Sequence, residues 1–179
     1  MNSKPKSESQ RVNALRALGI LDTVPEQEYD QITQLAASIC DTPVALISLL
    51  DEDRQWFKSR VGVQDCASEK KHSFCNHAIQ SGEEIMEVSD ARVDDRFQNN
   101  PLVCSDKPVV FYAGAPLKDK NNFALGTLCV IDYQPRTLSE KQKESLLFLA
   151  NQVNKLFELH SINKGLKITQ KQLKEKNYQ

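Results

Sequence analysis

Over the first forty residues the apolar positions recur three and four apart. Val12, Leu15 and Leu18, with Ala14, Ala17 and Leu21 beside them, predict a short amphipathic helix over 8–21. Thr23 stands three residues before Glu26 with Pro25 between them, a pattern that predicts a capping box opening a second helix. That helix places Ile32, Leu35, Ala36, Ile39 and Cys40 on one face and has stopped before Pro43. The period then changes. Val44 to Leu50 is a nearly continuous apolar run, and the acidic triplet at 51–53 is a turn. Beyond it Trp56, Lys58 and Arg60 alternate with Phe57, Ser59 and Val61, so the two stretches predict an antiparallel hairpin. Residues 62–71 read as irregular, 73–82 as a short helix ended by Gly82, and 85–88 as a short strand. The polar stretch SDARVDDRFQNNPLVCSDKP is a long connection of the kind that covers or lines a site. Two more strands are predicted, Val109 to Leu117 and Phe123 to Ile131, joined by the turn-forming KDKNN. In the second, Leu125, Cys129 and Ile131 lie on one side and Leu128 and Val130 on the other, which makes it a central strand. Ser139 and Gln142 predict a capping box at the start of a long helix. Its apolar row Leu146, Leu149, Val153 and Leu156 resumes after a phase shift with Leu159, Ile162, Leu166, Thr169 and Leu173, almost to the end of the chain.

Composition narrows the function classes. A chain of 179 residues, 40% of them hydrophobic, is enough for one well-cored domain and short for two. The net charge of -1 lacks the bulk basicity of a nucleic-acid binder, so no nucleic acid partner is expected. The N-terminus has no apolar signal region and no apolar run spans a bilayer, which predicts a cytoplasmic protein without membrane contact. Residues 1–7 read as disordered. The segment 161–179 holds five Lys against one Glu, a local balance of +4, with Gly165 as its weak point. It suits a frayed end or one strand of a coiled coil.

The five cysteines are scattered, odd in number and without a CxxC pair, which predicts reduced thiols. No phosphate loop, GxGxxG, HExxH or GxSxG is present, so no catalytic residues and no enzyme are expected. His72, Cys75 and His77 are awkward as joint ligands, because His77 points away from Cys75 on a helix; no metal is expected. A nucleophilic Cys75 lacks an obvious orienting group. The helix start beside Lys70, Lys71 and Ser73 could receive an anion, or Ser73 simply caps it. The acidic run Asp90, Asp94 and Asp95 does not match a calcium loop and suits turns instead. Trp56, Phe74, Phe97, Phe111 and Tyr112 read as pocket aromatics or plain core.

Taken in order, ALRALGILDTVPEQEYDQITQLA, PVALISLLDEDRQWFKSRVG, HSFCNHAI, VSDARVDDRFQNNPLV, VVFYAGAPL, LGTLCVIDYQPRTLSEKQ and LLFLANQV closely resemble the GAF domains of bacterial signalling proteins. The resemblance spans 8–160 and is to the subgroup found at the front of sensor histidine kinases and diguanylate cyclases. It implies an α+β fold: a central antiparallel sheet of five or six strands, the N- and C-terminal helices on one face, and a ligand pocket on the other. The NKFDE-type signature of cyclic-nucleotide GAF domains is missing. Asn76 separates Cys75 from His77, unlike the Cys-His pair that attaches a bilin, so neither bilin nor haem is expected and any cofactor is unknown. Lys70 and Lys71 stand where the subgroup commonly has an Arg. The resemblance thus implies a non-enzymatic sensory module that binds a small molecule or senses a redox change. Its ligand would be lined by Trp56, Ser73, Phe74, Cys75, Asp90, Asn100, Phe111 and Tyr112. It would pair as a homodimer through its terminal helices, with 161–179 as a C-terminal helical extension, and relay to a kinase or cyclase output domain. The alternatives are a cysteine-dependent peroxide or sulfoxide reductase, the latter of the free methionine sulfoxide type, using Cys75 or Cys104, and a dimerisation or docking domain without a ligand.

Overall fold

The computed structural model describes residues 7–177. The expected disordered segment 1–7 therefore lies outside the described residues except for Ser7, which is ordered and caps the first helix. That helix, α1 (Glu8–Leu18), opens on a capping box between Ser7 and Gln10. It closes on Gly19, whose φ of 70° is the left-handed conformation that glycine adopts without strain. Helix α2 (Gln27–Cys40) starts three residues later than the Thr23 signal predicts, and no side chain caps it. The reason is tertiary competition for the Thr23 hydroxyl. It donates to the Ile20 carbonyl at 2.6 Å and accepts from the Lys58 ammonium at 2.8 Å. Lys58, with a fully buried side chain, also reaches the Val24 carbonyl and the Glu26 carboxylate.

The strands are β1 (Val44–Leu50), β2 (Arg54–Val61), β3 (Ala67–Glu69), β4 (Met86–Val88), β5 (Phe111–Lys118) and β6 (Ala124–Asp132). They form one antiparallel sheet in the order β3-β2-β1-β6-β5-β4, so β1 and β6 are central, as their two apolar faces require. β3 lies in the stretch read as irregular; three residues are too few to display a period. Between β3 and β4 come a single 3-10 turn (Lys70–His72) and helix α3 (Phe74–Gln80), capped by Ser73. Helix α4 (Glu140–Asn177) starts on the Ser139–Gln142 capping box and continues to the end of the described residues.

The sheet divides two apolar layers. On one side α1, α2 and α4 cover Ala45, Ile47 and Leu49 of β1, Phe111, Ala113 and Ala115 of β5, and Leu128 and Val130 of β6. On the other, α3 and the connection 89–110 cover Leu46 and Leu50, Tyr112 and Cys129. Leu125 joins the helical side rather than the side of Cys129, because the register slips between Leu117 and Lys118 and changes the alternation there. The row of α4 that meets the core is Leu146, Ala150, Val153 and Phe157, rotated from the predicted one, which leaves Leu149 and Leu156 only half-buried. No helix among the described residues is long and apolar enough to cross a membrane.

Candidate functional site

Strand alternation decides which side chains can meet on the face opposite the terminal helices. Successive residues of a strand point to opposite faces, so Tyr112 reaches this face and Phe111 cannot; likewise Phe57 reaches it and Trp56 cannot. Ser48 is registered directly opposite Thr127, and Leu46 opposite Cys129, which brings Ser48, Thr127 and Cys129 to the same patch of the central strands. Helix α3 lies over that patch and lowers Cys75 onto it.

The result is a buried polar centre inside an apolar layer. The Thr127 hydroxyl donates to the Cys75 sulfur at 3.0 Å and the Tyr112 hydroxyl does so at 3.2 Å. The Cys129 sulfur lies 3.8 Å from that of Cys75. Burial pushes the Cys75 thiol up, but the hydrogen bonds from Cys129, Thr127, Tyr112 and Ser48 outweigh it and hold the thiol below its ordinary value. Hydrogen bonding with Cys75, followed by burial, pushes Cys129 well above its ordinary 9.0. Burial, followed by the two neighbouring sulfurs, raises Tyr112 in the same way, so Tyr112 stays protonated and remains a donor. Ser48 Oγ, fully buried, has no partner at full hydrogen-bond distance, but it lies beside both sulfurs and favours the thiolate of each. Gly114, two residues on from Tyr112, has no side chain to obstruct it; a Cβ there would collide with the Tyr112 hydroxyl.

Aromatic rings cover this centre. Phe74 stacks on Phe97 at 4.2 Å between centroids and on Tyr112 at 5.3 Å. Phe97 comes from the long connection, which is held by repeated Asp-x-Arg turns. Asp90 accepts from the backbone and guanidinium of Arg92, and Asp94 from those of Arg96. The amide of Asn100 ties the connection to the His72 carbonyl at 3.0 Å.

Of the eight residues expected to line a ligand, Phe74, Cys75 and Tyr112 come together here. Ser73 lies at their edge: its hydroxyl accepts from the Asn76 N–H as a helix cap and donates to Gln55, which leaves the anion reading of this helix start without a free hydroxyl. Asn100 is a brace for the connection, and Asp90 is engaged in its turn. Trp56 and Phe111 are corrected to the opposite face, among the terminal helices. Thr127, Cys129, Ser48 and Phe97 were not among the eight. A threonine and a cysteine spaced by two in an otherwise aliphatic central strand were the available signal. His72 stands 3.5 Å from Glu69, while His77 meets the edge of Phe97, so the two rings do not converge on Cys75. Among the described residues no group of three or more His, Cys, Asp or Glu is placed to hold a metal ion. A groove of about 600 Å³ on the helical side, between the start of α2 and α4, is lined by none of the eight.

A family model described as GAF domain matches residues 24–156. A protein of Pseudomonas aeruginosa named a cyclic di-GMP phosphodiesterase is 41% identical over 132 residues, which are 74% of this chain and 22% of that relative. The chain therefore spans about a fifth of the relative's length. The GAF domain of an Acinetobacter phosphoenolpyruvate-protein phosphotransferase superposes with a TM-score of 0.60 at 21% identity, covering 86% of this chain and 95% of that one. The free methionine-R-sulfoxide reductase of Neisseria meningitidis does so with a TM-score of 0.58 at 16% identity, covering 92% and 97%. These two likenesses show a shared fold. The first relative corrects the expectation of a non-enzyme, since the protein matched is itself named as an enzyme. The four missing sequence motifs bear only on the chemistries they serve, and cyclic di-GMP hydrolysis is not one of them.

Proposed function

Because the chain belongs to the GAF domain family, we propose that it is the regulatory domain of a protein that turns over cyclic di-GMP, sensing at the face around Cys75 and acting through α4. Family membership supports the sensory or regulatory role. The identity with the Pseudomonas aeruginosa phosphodiesterase carries the link to cyclic di-GMP. The geometry offers a route of the right kind. The central strand β6, which carries Thr127 and Cys129 on one face, carries Leu128 and Val130 on the other, against the terminal helices, so a shift under α3 is felt across a single sheet.

The test is a domain exchange. These residues replace the matched 132 residues of the relative, and hydrolysis of cyclic di-GMP is measured with and without one alanine inserted after Phe157, where the core-facing row of α4 ends. The insertion turns everything beyond it by about 100°. The expected result is hydrolysis in the chimera and a several-fold change on insertion. Hydrolysis indifferent to the insertion and to removal of the domain would overturn the proposal.

A further inference from the structure

We propose that Cys75 and Cys129 are a reactive dithiol that a peroxide closes to a reversible intramolecular disulfide. This deepens the sensory reading: its meaning as a signal rests on that reading, while its covalent chemistry does not.

Position comes first. The two sulfurs are 3.8 Å apart, and a disulfide needs about 2.05 Å, so an approach of a little under 2 Å joins them. They sit on different elements, Cys75 on α3 and Cys129 on the central strand β6, so the bond would fasten the helix to the sheet. The other cysteines stand apart from this pair: Cys40 is buried in the layer of the terminal helices, and Cys66 and Cys104 are exposed.

The surroundings then give the two sulfurs different roles. Hydroxyl donors from Tyr112 and Thr127 converge on Cys75, which favours its thiolate and makes it the attacking sulfur. Cys129, which keeps its proton, is the resolving thiol. The Ser48 hydroxyl shares the face of Thr127 beside both sulfurs and supplies a further hydrogen-bonding group for the oxygen of an incoming peroxide. Burial of both sulfurs restricts the oxidant and the reductant to small molecules.

The chemistry balances in two steps. The Cys75 thiolate attacks one peroxide oxygen; the O–O bond breaks, a sulfenic acid forms, and the other oxygen leaves as water or an alcohol after taking a proton. The Cys129 sulfur then attacks the Cys75 sulfur, the S–O bond breaks, and the hydroxide leaves as water with the Cys129 proton. Two electrons pass from the sulfurs to the peroxide. A dithiol reductant returns them by thiol–disulfide exchange.

The experiment uses the whole chain with hydrogen peroxide at neutral pH, followed by an acid quench, alkylation of remaining thiols under denaturing conditions and peptide mass spectrometry. The expected product is a crosslink between the peptides of Cys75 and Cys129 that dithiothreitol removes. Tyr112→Phe should form it about tenfold more slowly, as loss of a hydrogen bond to a charged group requires. In Cys129→Ala, a 1,3-dione should trap the Cys75 sulfenic acid. Recovery of Cys75 and Cys129 as alkylated thiols, while Cys66 and Cys104 are oxidised, would overturn the proposal; it needs only the unmodified protein and leaves the sensory reading standing. A crosslink that forms while hydrolysis by the chimera stays unchanged would uphold the dithiol and overturn the sensory reading.

Discussion

Glu8 holds together three stretches that are distant in sequence. Its carboxylate accepts from the Arg11 guanidinium at 2.8 Å in α1 and from the Lys70 ammonium in the 3-10 turn beside α3. Arg11, itself buried, continues to the carbonyls of Leu50 at 2.6 Å and Ala124 at 3.3 Å, at the ends of β1 and β6. A buried guanidinium without its carboxylate would be left uncompensated. The Arg11 hydrogen bond, opposed by partial burial and aided by Lys70, holds Glu8 at about 2 against an ordinary 4.5. The folded-state value is the lower one, so the unfolded chain binds the proton more tightly. The stabilisation is complete above 4.5 and is lost as pH falls from there toward about 2. Because half of the Glu8 side chain is exposed, solvent screening limits the effect, and Glu8→Gln is expected to lose about 1 kcal/mol at neutral pH. Urea denaturation of both proteins across an acid series should show the gap narrowing through that window. A gap that is constant down to pH 2 would contradict this assignment.

At the scale of elements, α4 contains its own weak point. Nothing lies within 4 Å of where a Gly165 Cβ would be, so alanine fits without repacking and should favour the helix by about 1 kcal/mol. Hydrogen exchange of the amides around 160–170 should slow in Gly165→Ala; unchanged exchange there would mean that the helix is fixed by something other than its own propensity. The helices and the longer strands were legible in the chain because each repeats its period several times: Val12, Leu15 and Leu18 in α1, and the apolar run of β1. β3 was too short to repeat anything, and the start of α2 was misplaced because Lys58, thirty-five residues away from Thr23, claims the hydroxyl that would have capped it. The site was legible only where the residues lie in one motif. Phe74 and Cys75 are adjacent on α3, and Tyr112 is an aromatic in a clear strand. Which of two neighbouring aromatics faces the site, Phe111 or Tyr112, depends on the phase of the strand against its partner. The pairing of Cys75 with Cys129 depends on how α3 lies over the sheet, and sequence spacing carries neither piece of information.

For the whole molecule, the decisive feature is where the core stops supporting α4. Phe157 is the last residue of its buried row; beyond it, His160 and Lys164 reach back to the carbonyls of Gly19 and Ala17 at the C-terminal end of α1. Leu159 and Leu166 are 55% and 56% exposed, and Ile162 and Leu173 resemble them. These four positions and Thr169 are spaced three and four apart in alternation, the seam of a two-stranded coiled coil. A single helix with that seam bare is marginal in water, since most helical stability comes from burying an apolar face. A second copy of the same chain, laid parallel, would bury the seam symmetrically and place two sensing faces at one end and two outgoing helices at the other. The lysines beside the seam would remain in solvent, so the pairing should tighten with added salt rather than weaken. Light scattering on the full chain is expected to give a dimer, and Leu166→Glu a monomer with an otherwise intact fold by circular dichroism. A wild-type protein that stays monomeric at high concentration and high salt would exclude relay by paired helices, and α4 would then have to act on its output as a single rod, moved through its packing on the sheet, α2 and α1.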